Sequence, residues 1–386
     1  MRNSTLLVGL LLAVSTPAAF GQMGKTVIVQ AGTPEGSALA KINDTSDPAE
    51  KLSLIEKFAE EFGKGDLEFL ADDLFVNYYL SVKNYDKAIE YGEKLWALDP
   101  GNFQNGMNLV RAAQEKGDAA RLITYGEKTG AIVARYKGQP APAGEEAGSW
   151  EETKKRTLED AKDSIAYIEQ VVFAAAYQSK DPSARAASLI RFANAFPDSP
   201  RASQAMAIAA ASYQQAQQYP KMLEVANGIL TKDPNDVSMM ILLADYYSEK
   251  GEQLDKAESY ARKAVDLLGA AKKPEGVSDE DWQRQVSLQK GLALSALGQA
   301  NISRKRDVQA LENFKAAAPL LKPDAVTYGR NQYRLGFALL NLKRIPEARA
   351  ALTEAASVDS PYRGLAQQKL STLPPAGATA ARKKSS

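Results

Sequence analysis

The chain has 386 residues, 45% of them hydrophobic and 25% charged, with 48 Lys and Arg against 47 Asp and Glu. That is enough apolar material for a packed core, and a net charge of +1 argues against nucleic acid or an anionic membrane as a general partner. Cysteine and histidine are both absent, which excludes thiolate nucleophiles, imidazole bases, zinc sites with Cys or His ligands, and disulfides.

Arg2 is followed by the apolar run Leu6 to Val14 and then by small residues ending Ala19-Phe20-Gly21. This pattern predicts a cleaved signal peptide over 1–21, cut after Gly21. The run is well short of the roughly 20 apolar residues that span a bilayer. No later segment reads as an integral membrane span, and no cysteine offers a lipid attachment site, so the expectation is a periplasmic or secreted protein. Residues 22–46 read as an extended N-terminal arm, in which Thr26 to Val29 is the one β-leaning run and is too short to found a sheet.

From Asp47 onward the chain reads as helical, with apolar residues three or four apart in Leu70 to Val82 and Ala88 to Leu98. Asp47-Pro48 predicts a helix start, Asp as N-cap and Pro in the first turn. The same pair recurs at Asp181-Pro182, an offset of 134, and so do Phe58-Ala59 at Phe192-Ala193, Tyr79 at Tyr213, Tyr85 at Tyr219, Asp99-Pro100 at Asp233-Pro234 and Lys116-Gly117 at Lys250-Gly251. A fixed register of this length marks an internal duplication, and the whole chain reads as about two and a half copies of one large unit. A first block, 47–136, leads into a polar loop, 137–149, that ends at Trp150. A second block, 150–268, leads into a similar loop, 269–281, that ends at Trp282. A C-terminal block over 282–373 follows, and Trp150 to Tyr177 reads as one long helix. The tail, 374–386, is rich in Pro, Ala, Lys and Ser and reads as disordered.

The spacing within each block resembles the tetratricopeptide repeat, a pair of helices of roughly 34 residues with an aromatic late in the first and Ala early in the second. Tyr79, Ala88 and Pro100 fit it in 69–102, with Asn84-Tyr85 in the turn, and Tyr213, Met222 and Pro234 fit it in 203–236. Ala244, Tyr247, Gly251, Ala257, Ala261 and Ala264 follow in 237–268, and Gly336, Ala348, Leu352, Ala355 and Pro361 mark a last unit before a capping helix over 362–373. Residues 103–136 fit less well, with Ala113 in the aromatic place and Leu122 in the Ala place. Phe196-Pro197-Asp198-Ser199-Pro200-Arg201-Ala202 also resembles the inter-repeat linker of bacterial periplasmic repeat proteins. The resemblance implies an all-α, right-handed solenoid of helical hairpins with irregular long loops, whose first helices line a groove. On that basis Asn77, Arg111, Asp245, Arg330, Tyr333, Arg334, Phe337 and Asn341 are candidate partner-binding residues. Arg330 and Arg334, one turn apart beside Tyr333 and Phe337, could hold an acidic or C-terminal peptide, or could form a solvated basic face.

The acidic pairs Glu60-Glu61, Asp72-Asp73 and Glu145-Glu146 are adjacent in sequence, so on a helix they diverge and do not face each other across a cleft as glycoside cleavage requires. No glycine-rich phosphate loop, calcium loop or serine nucleophile motif occurs, so no cofactor and no metal is indicated. The sequence is therefore read as a non-enzymatic scaffold or adaptor of the bacterial cell envelope that binds a peptide or protein in its groove. The alternatives are a self-assembling structural repeat protein and a carboxylate-dependent hydrolase on a helical scaffold.

Overall fold

A computed structural model of the chain describes residues 23–25 and 27–374. The leader read over 1–21, Thr26 and nearly all of the tail lie outside the described residues. Among the described residues the regular structure is eighteen α-helices and no strand, and the chain divides into two compact units at Ala216/Gln217.

Unit 1 holds α1 (Pro34–Asp44), α2 (Pro48–Phe62), α3 (Asp66–Ser81), α4 (Tyr85–Leu98), α5 (Phe103–Lys116), α6 (Ala119–Gly138), α7 (Ala147–Asp160), α8 (Lys162–Tyr177), α9 (Pro182–Ala195) and α10 (Ala202–Gln215). Unit 2 holds α11 (Tyr219–Lys232), α12 (Val237–Lys250), α13 (Leu254–Ala270), α14 (Asp279–Ser303), α15 (Asp307–Leu321), α16 (Ala325–Asn341), α17 (Ile345–Ser357) and α18 (Tyr362–Ser371). Most helices adjacent in the chain pack as hairpins, and contacts also reach past them, α3 on α5 and α5 on α8 in unit 1, α12 on α14, α14 on α16 and α16 on α18 in unit 2. Each unit is thus an array of tetratricopeptide-like hairpins with the first helices gathered in one layer.

The helix starts follow from side-chain capping. The Asp47 carboxylate accepts from Glu50 N, and Asp181 accepts from Ser183 N and Ala184 N, each with Pro in the first turn. The hairpin turns share a second device. At Lys83, Gly117, Gln217, Gly251, Lys305 and Lys343 the backbone is left-handed, and within unit 1 the next amide reaches back to close the helix, Asn84 N to Tyr79 O at 2.8 Å and Asp118 N to Ala113 O at 2.9 Å. Arg306 and Arg344 close α14 and α16 of unit 2 in the same way, each at 2.8 Å. These turns fall at the duplicated positions, 83 and 217, then 117 and 251, so the register of the sequence is a register of turns.

Close approach of paired helices depends on small residues. A methyl group on Gly336 of α16 would lie 2.7 Å from Leu352 Cδ2 of α17, and one on Gly298 of α14 would lie 2.6 Å from Phe314 Cε1 of α15. Ala338, Ala348 and Ala355 are buried to 0% exposure around the same seam.

Several expectations need correction. The arm over 22–46 is extended only to Gln30: Thr33 caps a helix, α1, that begins at Pro34 and sets Ile42, 1% exposed, against Ile55 and Phe58. Only Ala38, Leu39 and Ile42 carry its apolar face, too few to announce a helix by periodicity. The remaining arm is a strap on unit 1, with Phe103 N donating to Met23 O at 3.0 Å, Lys25 N to Asp99 Oδ2 at 2.6 Å and Val27 packed beside Phe69, Val76 and Leu95. Trp150 to Tyr177 is two helices, broken at Ala161. The polar loops shorten to 139–146 and 271–278. The first is pinned by Trp150 Nε1 donating to Gln139 O at 2.9 Å and by the buried Lys154 ammonium donating to Lys137 O and Gln139 O at 3.1 Å each, a cation on the C-terminal carbonyls of α6. Where the first copy has α7 and α8, the second has the single helix α14.

The seam and the turns give opposite signs to two substitutions. Gly336→Ala should cost about 1–3 kcal/mol by overpacking against Leu352. Lys343→Gly, which relieves a left-handed non-glycine residue, should gain roughly 0.5–1 kcal/mol. Thermal and urea unfolding of the two variants check both signs.

Candidate functional site

The first-helix face of unit 1 is built on one stripe of α5: Gln104, Asn108, Arg111 and Glu115 succeed one another at helical spacing. Asn108 is 7% exposed. Its Oδ1 accepts from Gln104 Nε2 at 3.4 Å, while its Nδ2 is buried with no partner. Arg111, one turn on, is exposed, and among the described residues no carboxylate pairs with it. On α8 the Tyr167 hydroxyl donates to Gln114 Oε1; burial raises its pKa, and the Arg111 charge opposes that rise. On α3, Asn77 Nδ2 donates to Asp73 O at 2.8 Å and to Asp73 Oδ2 at 3.0 Å. Burial pushes the Asp73 carboxyl up, and the Asn77 bond offsets part of that shift.

The corresponding face of unit 2 is closed on itself. Asp245 of α12 accepts from Arg330 Nη1 at 2.7 Å and from Arg334 Nη2 at 3.1 Å, both on α16, and Arg334 also pairs with Glu249 and donates to Ser295 Oγ of α14 at 3.3 Å. Arg334 is 4% exposed and Asp245 9%. The guanidinium groups read as a clamp for an acidic peptide are therefore engaged by the protein's own carboxylates, and neither forms a solvated basic face. Tyr333 stacks edge-on to Phe337 at 5.0 Å and tilts against Tyr362 of α18 at 5.7 Å, with Lys369 Nζ 4.9 Å above the Phe337 ring. Asn341 Nδ2 donates to Asp307 Oδ1 at 2.7 Å, tying α16 to the start of α15.

Of the eight residues singled out from the sequence, the structure brings Asp245, Arg330, Arg334, Tyr333 and Phe337 together in unit 2 and leaves Arg111 exposed on α5 of unit 1 with no carboxylate paired to it among the described residues. Sequence reasoning missed Asn108, which stands three residues before Arg111 on the same face and was legible from that spacing, and Glu249 and Ser295, which complete the ion cluster. The adjacent acids Asp72 and Asp73 do diverge: Asp72 lines a cleft between α2, α3 and α4, whereas Asp73 turns to Asn77. Among the described residues no group of three or more Asp or Glu side chains is placed to hold a metal ion, and no helix is long and apolar enough to cross a membrane.

A buried ion cluster is kept only if every charge is paired. Burial raises the Asp245 carboxyl, but Arg330 and Arg334 outweigh it through charge and hydrogen bonds and hold it below its ordinary 3.8. A depressed carboxylate adds stability that is fully present above the unfolded value and lost as pH falls through the folded one. Unit 2 should therefore lose stability below about pH 3.8, and Asp245→Asn should flatten that part of the acid-unfolding curve. Arg334→Ala, which leaves Asp245 and Glu249 short of a partner, should cost about 3–5 kcal/mol, read by urea unfolding at pH 7.

No protein-family model matches the sequence, and no curated protein matches it significantly. Among solved structures the chain is similar to the crystal structure of yeast Tom70, with 11% identity, coverage of 88% of this chain and 96% of that one, and a TM-score of 0.30. It is also similar to a human IFIT1 dimer with m7Gppp-AAAA, with 13% identity, coverage of 86% and 74%, and a TM-score of 0.34. A third is the APC/C hetero-tetramer Cut9-Hcn1, with 12% identity, coverage of 83% and 85%, and a TM-score of 0.26. At these scores the superpositions add nothing to the hairpin geometry, on which the fold assignment rests.

Proposed function

We propose that the chain is a non-enzymatic protein-binding scaffold exported to the bacterial envelope, and that the α5 stripe of unit 1 docks its partner. The observation that carries this reading is the buried, unpartnered Asn108 Nδ2 one turn from the unpaired Arg111. A buried donor without an acceptor costs about 1–3 kcal/mol, a cost that an acceptor supplied by a docked partner would relieve. A polypeptide supplies both groups that fit: a backbone carbonyl for Asn108 and an acidic side chain or terminal carboxylate for Arg111. The leader supports export, and the linker 196–202 supports an envelope setting.

Affinity capture from an envelope extract with residues 22–386, followed by mass spectrometry, tests the reading. The expected result is one reproducible protein partner whose capture falls roughly tenfold in Arg111→Ala, with an unchanged melting temperature because the side chain is exposed. Retention of saccharide or lipid with no protein, or capture indifferent to Arg111 and Asn108 substitutions, contradicts it.

A further inference from the structure

A second surface of unit 1 is a cleft that carries two acidic side chains. The C-terminal turns of α2, the first half of α3 and the second half of α4 enclose a cleft of about 480 Å³ lined by Ala59, Gly63, Glu68, Asp72, Tyr91 and Leu98, among others. Its aromatic wall is made by Phe75 and Tyr91, whose rings are stacked 4.3 Å apart at 21°; behind it, Tyr79 stacks 5.6 Å from Tyr91. Its rim carries Leu98, a large apolar side chain left 42% exposed.

Three charged groups face the cleft: Glu68 and Asp72, one turn apart on α3, and Lys94 on α4, while α2 contributes only Ala59 and Gly63. Lys94 is already committed, its Nζ lying 3.1 Å from Glu90 Oε1 and 4.3 Å above the Tyr91 ring. Among the described residues no donor or cation pairs with the Asp72 carboxylate. Burial lifts it to about 6, against the pull of Lys94 and with a smaller push from Glu68. A half-buried carboxylate with no partner is a standing cost to the fold, and costs of that kind collect where a ligand relieves them.

We propose that this cleft takes an arginine side chain presented by a partner polypeptide, the guanidinium bridging Asp72 and Glu68 and the aliphatic stem lying along Leu98 and Ala59. The chemistry favours arginine because its planar fork can donate to two carboxylates one turn apart and its flat face tolerates an aromatic wall. The assignment rests on the protein-binding reading above but uses a different surface, so the two can fail separately.

The test is isothermal titration of residues 22–386 at pH 7.5 with an acetylated, amidated pentapeptide carrying arginine between alanine and leucine, beside the same peptide with citrulline. Saturable binding of the arginine peptide is expected, at least tenfold weaker for citrulline and for Asp72→Asn, weaker again at pH 5 where Asp72 takes up its proton, and unchanged in Arg111→Ala. Asp72→Asn should at the same time raise the melting temperature, since it removes a desolvated charge. Equal binding of the citrulline peptide, no saturation at millimolar concentration, or an Asp72→Asn variant that binds as well as the parent overturns the proposal. So does a lower melting temperature in Asp72→Asn, which would make the carboxylate a structural partner of Lys94. Loss of binding in Arg111→Ala would merge the two surfaces and overturn it as well.

Discussion

The architecture of each unit depends on how closely two helices of a hairpin approach. At Gly336 against Leu352 and Gly298 against Phe314 there is no room for a single methyl group, and the buried alanines Ala257, Ala261 and Ala264 of α13 repeat the theme. Interiors packed to this density transmit displacement rather than absorb it. The side chains on the first-helix layer are consequently held in fixed register along α3, α5 and α8 in one unit and α12, α14, α16 and α18 in the other. What this layer offers at its surface depends on which of those side chains are left without an internal partner.

On that criterion the two units differ, although they share a duplicated sequence. Position 111 and position 245 correspond in the 134-residue register, and one is Arg111, unpaired, while the other is Asp245, locked between Arg330 and Arg334. One copy has kept a free charge on its first-helix layer. The other has turned the same place into an ion cluster that ties α12 to α16 past α14. The two corresponding helices, α5 and α12, keep the same length and the same closing turn at Gly117 and Gly251 while this one position differs.

Much of the fold was legible because its determinants are local. Asp47-Pro48 and Asp181-Pro182 announce caps, Lys116-Gly117 and Lys250-Gly251 announce turns, and the boundaries of α2, α4, α5, α9, α11 and α12 follow from them. What was not legible depends on distance in sequence or on short signals. Helix α1 rests on three apolar residues and on contacts with α2. The break at Ala161 has no Gly or Pro to mark it. The pairing of Arg334 with Asp245 spans 89 residues, so the sequence shows two cations on one face and gives no sign that carboxylates from another helix already hold them. Asp72 shares this limit, and so does the burial of Asn108: spacing places Asn108 beside Arg111, but only the structure shows its amide buried without a partner.

A partner polypeptide docked on the α5 stripe of unit 1, as proposed, would cover its exposed side chains. Hydroxyl-radical footprinting of residues 22–386, alone and with the captured partner, measures this directly by reading side-chain solvent access. Protection concentrated on Met107 and Tyr167, the partly exposed side chains along α5 and α8, with the Tyr333, Phe337 and Tyr362 cluster of unit 2 unchanged, is the predicted result. Protection confined to unit 2, or none on α5 and α8 at saturating partner, would contradict it.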